Sequence, residues 1–210
     1  MHSIKNIIFD LGGIFLQVDY QKTEDAFVAL GISNFASYYK QDFVSKLFED
    51  FETGLITPAD FCNGFRQITN AHLTNEQIET AWNAMLGDFW TERLVWLEMI
   101  GKQYHVYLFS NTNETHYHAL MEIYHQSNPG HDLSNYFIKD YYSHILGMRK
   151  PYKESYLRLL NEHGLQAQET LFIDDTLKNI EGAKEAGLQT LLLLPTMDLE
   201  KEVTAYLKKE

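Results

Sequence analysis

Three polar clusters each follow an apolar run, and their residue types suit chemistry on a phosphate ester. Asp10 follows Asn6-Ile7-Ile8-Phe9 and leads into Leu11-Gly12-Gly13. Ser110-Asn111-Thr112-Asn113 follows Tyr104–Phe109, and the adjacent acids Asp174-Asp175 follow Leu171-Phe172-Ile173. Carboxylate oxygens at two of these places describe a site for a hard cation, and magnesium commonly takes one or two carboxylates, waters and a phosphate oxygen. The hydroxyl and amide groups of 110–113 are donors for phosphate oxygens. A phosphate dianion facing three carboxylates would be repelled, so a cationic side chain is also required. Lys150, in Gly147-Met148-Arg149-Lys150-Pro151, supplies one. Asp174 and Asp175 repel each other after a buried run unless a cation or donors compensate, which argues against a purely structural role.

These clusters need a frame that brings them to one place. Asn6–Asp10, Tyr104–Phe109, Thr170–Asp174 and Gln189–Leu194 read as strands covered on both faces, because they are short and apolar without alternation. Tyr136–Tyr142 is a fifth candidate. Helical patterns lie at Thr91–Gly101, Pro151–Gly164 and Leu177–Gly187, the second opening on proline and all three closing on glycine. Alternating strands and helices predict an α/β fold, a Rossmann-like parallel sheet with helices on both faces. Ligand chemistry in such sheets sits beyond the C-terminal ends of the strands, where all three clusters fall.

Residues 18–88 break the alternation. They hold no convincing strand and read as successive helices at Lys22–Leu30, Phe35–Glu52, Pro58–Thr69 and Asn75–Gly87. Thr57-Pro58-Ala59-Asp60 has the pattern of an N-cap with proline at the first position. The expected organisation is an α/β core of residues 1–17 and 89–210, with a small helical subdomain of residues 18–88 over the sheet's edge. The tail Leu199–Glu210 is charge-rich and reads as a solvated terminal helix.

Composition narrows the partners. Of 210 residues, 45% are hydrophobic, enough for a substantial core. A net charge of −12 argues against nucleic acid and anionic membranes, which need clustered Lys and Arg. Cys62 is the lone cysteine, which excludes an internal disulfide or a Cys-based zinc site. The longest aliphatic run, Leu191–Leu194, is far short of the roughly 20 residues of a membrane span, and the start of the chain lacks a secretory h-region. The expectation is a cytoplasmic protein, a monomer or weak homo-oligomer.

In order and spacing, Asp10, Ser110, Lys150 before Pro151, and Asp174-Asp175 resemble the four motifs of the haloacid dehalogenase superfamily. The separations are 100, 40 and 24 residues, and the match spans nearly the whole chain. Glu52-Thr53-Gly54-Leu55-Ile56-Thr57, Leu108–Asn113, Leu146–Pro151 and Asn179–Ala183 extend the resemblance to the bacterial alpha-D-glucose-1-phosphate phosphatase branch. It implies a C1-type helical cap at 18–88. It also implies a Mg²⁺-dependent phosphatase for a small phosphorylated metabolite, such as the sugar phosphate glucose 1-phosphate. By the resemblance, Asp10 is the nucleophile that carries an aspartyl phosphate. Asp10, the Gly12 carbonyl and Asp175 hold the metal, with Asp174 a ligand directly or through water. Ser110 and Asn111 bind phosphate, and Lys150 neutralises its charge and steers Asp10.

One position departs from the superfamily pattern. Phosphatases of this type usually carry a second aspartate two residues after the nucleophile, as general acid and base, and here that position is Gly12. The glucose-1-phosphate branch shares the glycine, and an anomeric oxygen leaves more readily than an ordinary alcohol. Asp19 is a candidate substitute. Two other functions fit the same residues: a metal-independent 2-haloacid dehalogenase, which Asp174-Asp175 disfavours, and a non-catalytic phosphometabolite-binding module. Gly12-Gly13 is no Walker motif and reads as a tight turn. His116 and His118, two apart on a helix, do not face each other and read as polar surface or cap-facing residues. Arg66 reads as a solvated arginine. Asn179 is either an ordinary helix residue or an orienter of the neighbouring carboxylates.

Overall fold

Ile7, Ile8 and Phe9 are buried on both sides of β1 (Asn6–Phe9), which is why this strand reads as an unbroken apolar run. The structure, a computed structural model, describes residues 3–40 and 43–208. After β1 the chain turns through β2 (Leu16–Val18) into α1 (Tyr20–Ala29), then a tiny hairpin, β3 (Tyr39–Lys40) and β4 (Phe43–Val44). Next come α2 (Lys46–Glu52), α3 (Pro58–Thr69), α4 (Asn75–Asn83) and β5 (Leu86–Phe89). The alternating part follows: α5 (Thr91–Ile100), β6 (His105–Ser110), α6 (Glu114–Ser127), β7 (Lys139–Tyr142) and α7 (Ser143–Leu146). It ends with α8 (Lys153–His163), β8 (Thr170–Asp174), α9 (Leu177–Glu185), β9 (Gln189–Leu192) and α10 (Leu199–Leu207).

Five strands form one parallel sheet in the order β7-β6-β1-β8-β9. Alternate residues feed two cores. Ile7, Phe9, Val106, Leu108, Leu171 and Ile173 pack on one face, with side chains of α5, α6 and α10. Ile8, Tyr107, Phe109 and Phe172 pack on the other, with α8 and α9. The expected parallel sheet with helices on both faces is what the chain forms.

Helices α1 to α4 enclose a third core dominated by aromatic rings, among them Phe27, Phe35, Phe48, Phe61, Phe65 and Trp82. Phe27 stacks on Phe35 with centroids 4.4 Å apart, and Phe51 stacks on Phe61 at the same distance. The N-cap expected at Thr57 is present, with Asp60 N donating to Thr57 Oγ1 at 3.1 Å. Thr74 and Gln77 make the same reciprocal cap on α4.

Several expectations are corrected. The stretch 18–88 is not free of strands: β2 pairs antiparallel with β5, and β3 with β4. The helix read from Phe35 to Glu52 begins only at Lys46; positions 41–42 lie outside the described residues. Phe35 opens a short 3₁₀ turn instead, because its ring is taken into the aromatic core. The helix from Asn75 stops at Asn83, since Leu86 enters the pairing with β2. Pro151 precedes α8 rather than opening it, across a cis Lys150–Pro151 bond. The terminal helix is not simply solvated, because Leu199 and Val203 are buried in the sheet's core. No helix among the described residues is long and apolar enough to cross a membrane.

Candidate active site

Asp10, Ser110 and Asp174 close or follow β1, β6 and β8, so the parallel order of these neighbouring strands sets them side by side at one sheet edge. Lys150 arrives from the segment between α7 and α8. Its ammonium lies 2.8 Å from Asp10 Oδ1 and 2.7 Å from Asp174 Oδ2, and it is wholly buried. Phe109 and Phe172 flank it, each ring centroid 5.5 Å from Nζ. Burial disfavours the lysine's charge, but Asp10 and Asp174 outweigh it and raise its pKa, so it remains an ammonium.

Asn111 acts on Lys150 through the backbone. Its Nδ2 donates to the Lys150 carbonyl and its Oδ1 accepts from the Lys150 N–H, both at 2.9 Å. The Asn111 side chain is thus engaged in placing the lysine. Ser110 is buried at the cavity wall with Asp10 and Lys150. The next turn is held by Ser143, whose hydroxyl accepts from Thr112 N and donates to Thr112 O.

The carboxylates differ in how they are held. Asp174 has no exposed surface, and both its oxygens are engaged: Oδ1 by Thr176 N and Asn179 Nδ2, Oδ2 by Lys150 and Asn179 Nδ2. Asn179 is therefore the carboxylate orienter of the two alternatives. Asp10 Oδ1 also accepts from Leu11 N at 2.7 Å. Asp175 Oδ1 accepts from Thr176 Oγ1 at 3.0 Å, and its carboxylate lies directly over Gly13, which has a φ of +72°. Only glycine suits that place, in conformation and in space. Gly12 stands beside it, bridged to Leu16.

Oxygens of Asp10, Asp174 and Asp175 all lie within 4.8 Å of one another. Burial pushes the Asp10 carboxyl well above the ordinary range, against the pull of Lys150, and the other two acids reinforce it. Burial and Asp174 push Asp175 up to about 6. One lysine does not balance three such carboxylates. An all-oxygen set with surplus negative charge fits a hard divalent cation of the magnesium type.

The cavity over these residues has a second wall from the helical layer, which the sequence reading missed: Tyr20, Tyr39 and Glu52, with Arg149 beneath. Glu52 and Arg149 stood inside the quoted motif strings, but nothing in their spacing marked them as facing a cavity. His116 also lines it, buried and facing the helical layer, the second of its two readings. Its Nε2–H donates to the Trp82 carbonyl at 3.0 Å and its ring stacks on Trp82. Burial pushes its pKa down to about 4, so it is neutral. Asp19 caps α1 by accepting from Gln21 N and lines an adjoining cavity, with Lys22, Arg93 and Asp175. Arg66 is tied to Asn63, Leu73 and Asn75 within the helical layer.

Comparison with known proteins follows the same lines. A family model described as haloacid dehalogenase-like hydrolase matches residues 4–187. The D-ribitol-5-phosphate phosphatase of Bacteroides thetaiotaomicron is 31% identical over 206 residues, covering 97% of this chain and 98% of that protein. The sesquiterpene phosphatase astK of Aspergillus oryzae is 29% identical, covering 93% of this chain and 92% of that one. Among solved structures, a HAD family enzyme from B. thetaiotaomicron in complex with magnesium and inorganic phosphate superposes with a TM-score of 0.82 at 32% identity, covering 95% of this chain and 98% of that one.

Proposed function

The chain belongs to the haloacid dehalogenase-like hydrolase family, and we propose that it is a Mg²⁺-dependent phosphatase acting on a small sugar or polyol phosphate. The observation that carries this reading is the buried Asp10–Lys150–Asp174 arrangement with Asp175 alongside. Asp10 and Asp175 would be the direct carboxylate ligands and the Gly12 carbonyl a third. Asp174, with both oxygens engaged by protein donors, contributes charge and holds Lys150. The bound metal would supply positive charge against the phosphoryl oxygens.

Asp10 attacks phosphorus, the P–O ester bond breaks with its electron pair passing to the alcohol oxygen, which takes a proton from solvent water, and an aspartyl phosphate results. Water then attacks that phosphorus and regenerates the carboxylate, releasing inorganic phosphate. Lys150 stabilises charge on the transferring group, with Ser110 donating a hydrogen bond and Asn111 holding the lysine in place. Residues 18–88 serve as a helical cap that encloses the substrate and excludes water. The magnesium- and phosphate-bound relative and the two phosphatase relatives support this reading.

Gly12 bears on the substrate. With no carboxyl there to protonate the leaving oxygen, turnover favours esters whose alcohol leaves readily, and an anomeric phosphate such as glucose 1-phosphate is one. General acid help is typically worth ~10²–10⁴-fold, so the preference should be large. The test is a phosphate-release screen with Mg²⁺ over sugar and polyol phosphates, glucose 1-phosphate and ribitol 5-phosphate included, with Asp10→Asn as control. Hydrolysis that disappears in the control is expected, with a phosphoryl group trapped on Asp10. No hydrolysis of any ester would overturn the phosphatase reading, and ligand-induced thermal stabilisation without turnover would favour a binding module.

A further inference from the structure

A charged pair that joins the helical layer to the core is buried in the cavity wall. Glu52, the last residue of α2, lies with its Oε2 2.8 Å from Arg149 Nε, and both side chains are almost wholly enclosed. The contact is an ion pair and not a well-aligned hydrogen bond at these two atoms. The Tyr39 phenol hydrogen-bonds the Glu52 carboxylate, and Tyr20 lines the same cavity. A buried ion pair is a poor way to gain stability, since apolar residues of similar volume usually serve as well or better. Placed on a cavity wall, it is better explained by something that enters the cavity.

We infer that Glu52 and Arg149, with Tyr39 holding Glu52, form the subsite that reads hydroxyl groups on the part of the substrate beyond its phosphate. A hydroxyl is both donor and acceptor. It can donate to the Glu52 carboxylate while its oxygen accepts from the Arg149 guanidinium, satisfying both groups at once. A hydrocarbon chain meets neither and leaves two charged groups desolvated against it. The subsite therefore selects polyhydroxylated phosphomonoesters and rejects alkyl or isoprenoid phosphates, although one relative is named for a sesquiterpene. The inference rests on the phosphatase reading of the same cavity and adds to it which residues choose the leaving alcohol.

The experiment compares kcat/KM for glucose 1-phosphate and ribitol 5-phosphate with that for pentyl phosphate, in the wild type, Glu52→Gln and Tyr39→Phe. Wild type is expected to favour the better hydroxylated ester by at least about a hundredfold over pentyl phosphate. Glu52→Gln should shrink that ratio by about tenfold or more, mainly through KM, and Tyr39→Phe, which keeps the ring, should shrink it less. A second arm measures binding to the Mg²⁺-loaded Asp10→Asn protein, where adding Glu52→Gln should weaken the hydroxylated ester but not inorganic phosphate. Equal losses on all esters, or equal binding losses for ester and inorganic phosphate, would overturn the subsite. Absence of turnover would overturn the phosphatase reading alone, and the binding arm would still decide this one.

Discussion

The Lys150 ammonium lies 2.7 Å from Asp174 Oδ2, and neither side chain has any exposed surface. The same ammonium touches Asp10, so removing it strands two buried carboxylates. Breaking a buried pair from one side typically costs ~3–5 kcal/mol. Lys150→Met should lose about that much by urea unfolding and lose phosphate release entirely. Mg²⁺ should restore part of the stability, because it gives the carboxylates another cation.

The raised pKa of Asp175 has a definite sign. Its folded value of about 6 exceeds the ordinary 3.8, so between these pH values the folded state holds more protons than the unfolded one. This group's contribution to metal-free stability is therefore lost as pH rises through about 6. Asp10, shifted the same way, adds to the trend. Thermal melts of the metal-free protein should fall across that window and flatten with saturating Mg²⁺. The Mg²⁺ needed for half-maximal activity should rise as pH drops below about 6, because protons compete for Asp175.

Gly13→Ala tests the turn under Asp175. A Cβ would strike the Asp175 carboxylate, and φ is +72°. Strain of this kind costs ~1–3 kcal/mol, but the larger consequence is displacement of the carboxylate. Titration of Mg²⁺ by calorimetry should show weakened binding, while Gly31→Ala, also at positive φ but with nothing near, should affect stability alone.

Asn179→Leu removes the donor shared by both oxygens of Asp174. A hydrogen bond to a charged group contributes ~1.5–3 kcal/mol, so a loss of that size is expected by denaturation. Phosphate-release kinetics should show kcat falling more than KM rises, since Asp174 is the anchor of Lys150 and not a binder of the leaving alcohol.

Much of the sheet was legible because Ile7–Phe9, Leu108–Phe109 and Leu171–Ile173 are buried on both faces, which leaves unbroken apolar runs. The polar residue ending each run then marked the candidate site. What escaped depends on partners distant in sequence. Phe35 belongs to a 3₁₀ turn because Phe27, Phe65 and Trp82 take up its ring. His116 is buried because Trp82 supplies a carbonyl from another helix. Glu52 faces Arg149 across 97 residues of sequence, a distance at which spacing says nothing. In the tail, Leu199 and Val203 repeat at i, i+4, and their apolar stripe was outweighed by the charges around it.

The chain enters the helical layer through β2 and leaves it through β5, and these two strands are hydrogen-bonded to each other. The layer is thus hung on a single two-stranded ribbon, like a door on one edge. Its far edge meets the core where Tyr152 Oη donates to Glu49 at 2.6 Å and where Gly54 packs on the His144 carbonyl. A swing about the ribbon would part these contacts first and would pull Glu52 from Arg149, the residue next to Lys150. Lengthening one jamb of that door, by inserting a residue in β2 but not in β5, would break the strands' register and rotate the layer out of line with the cavity.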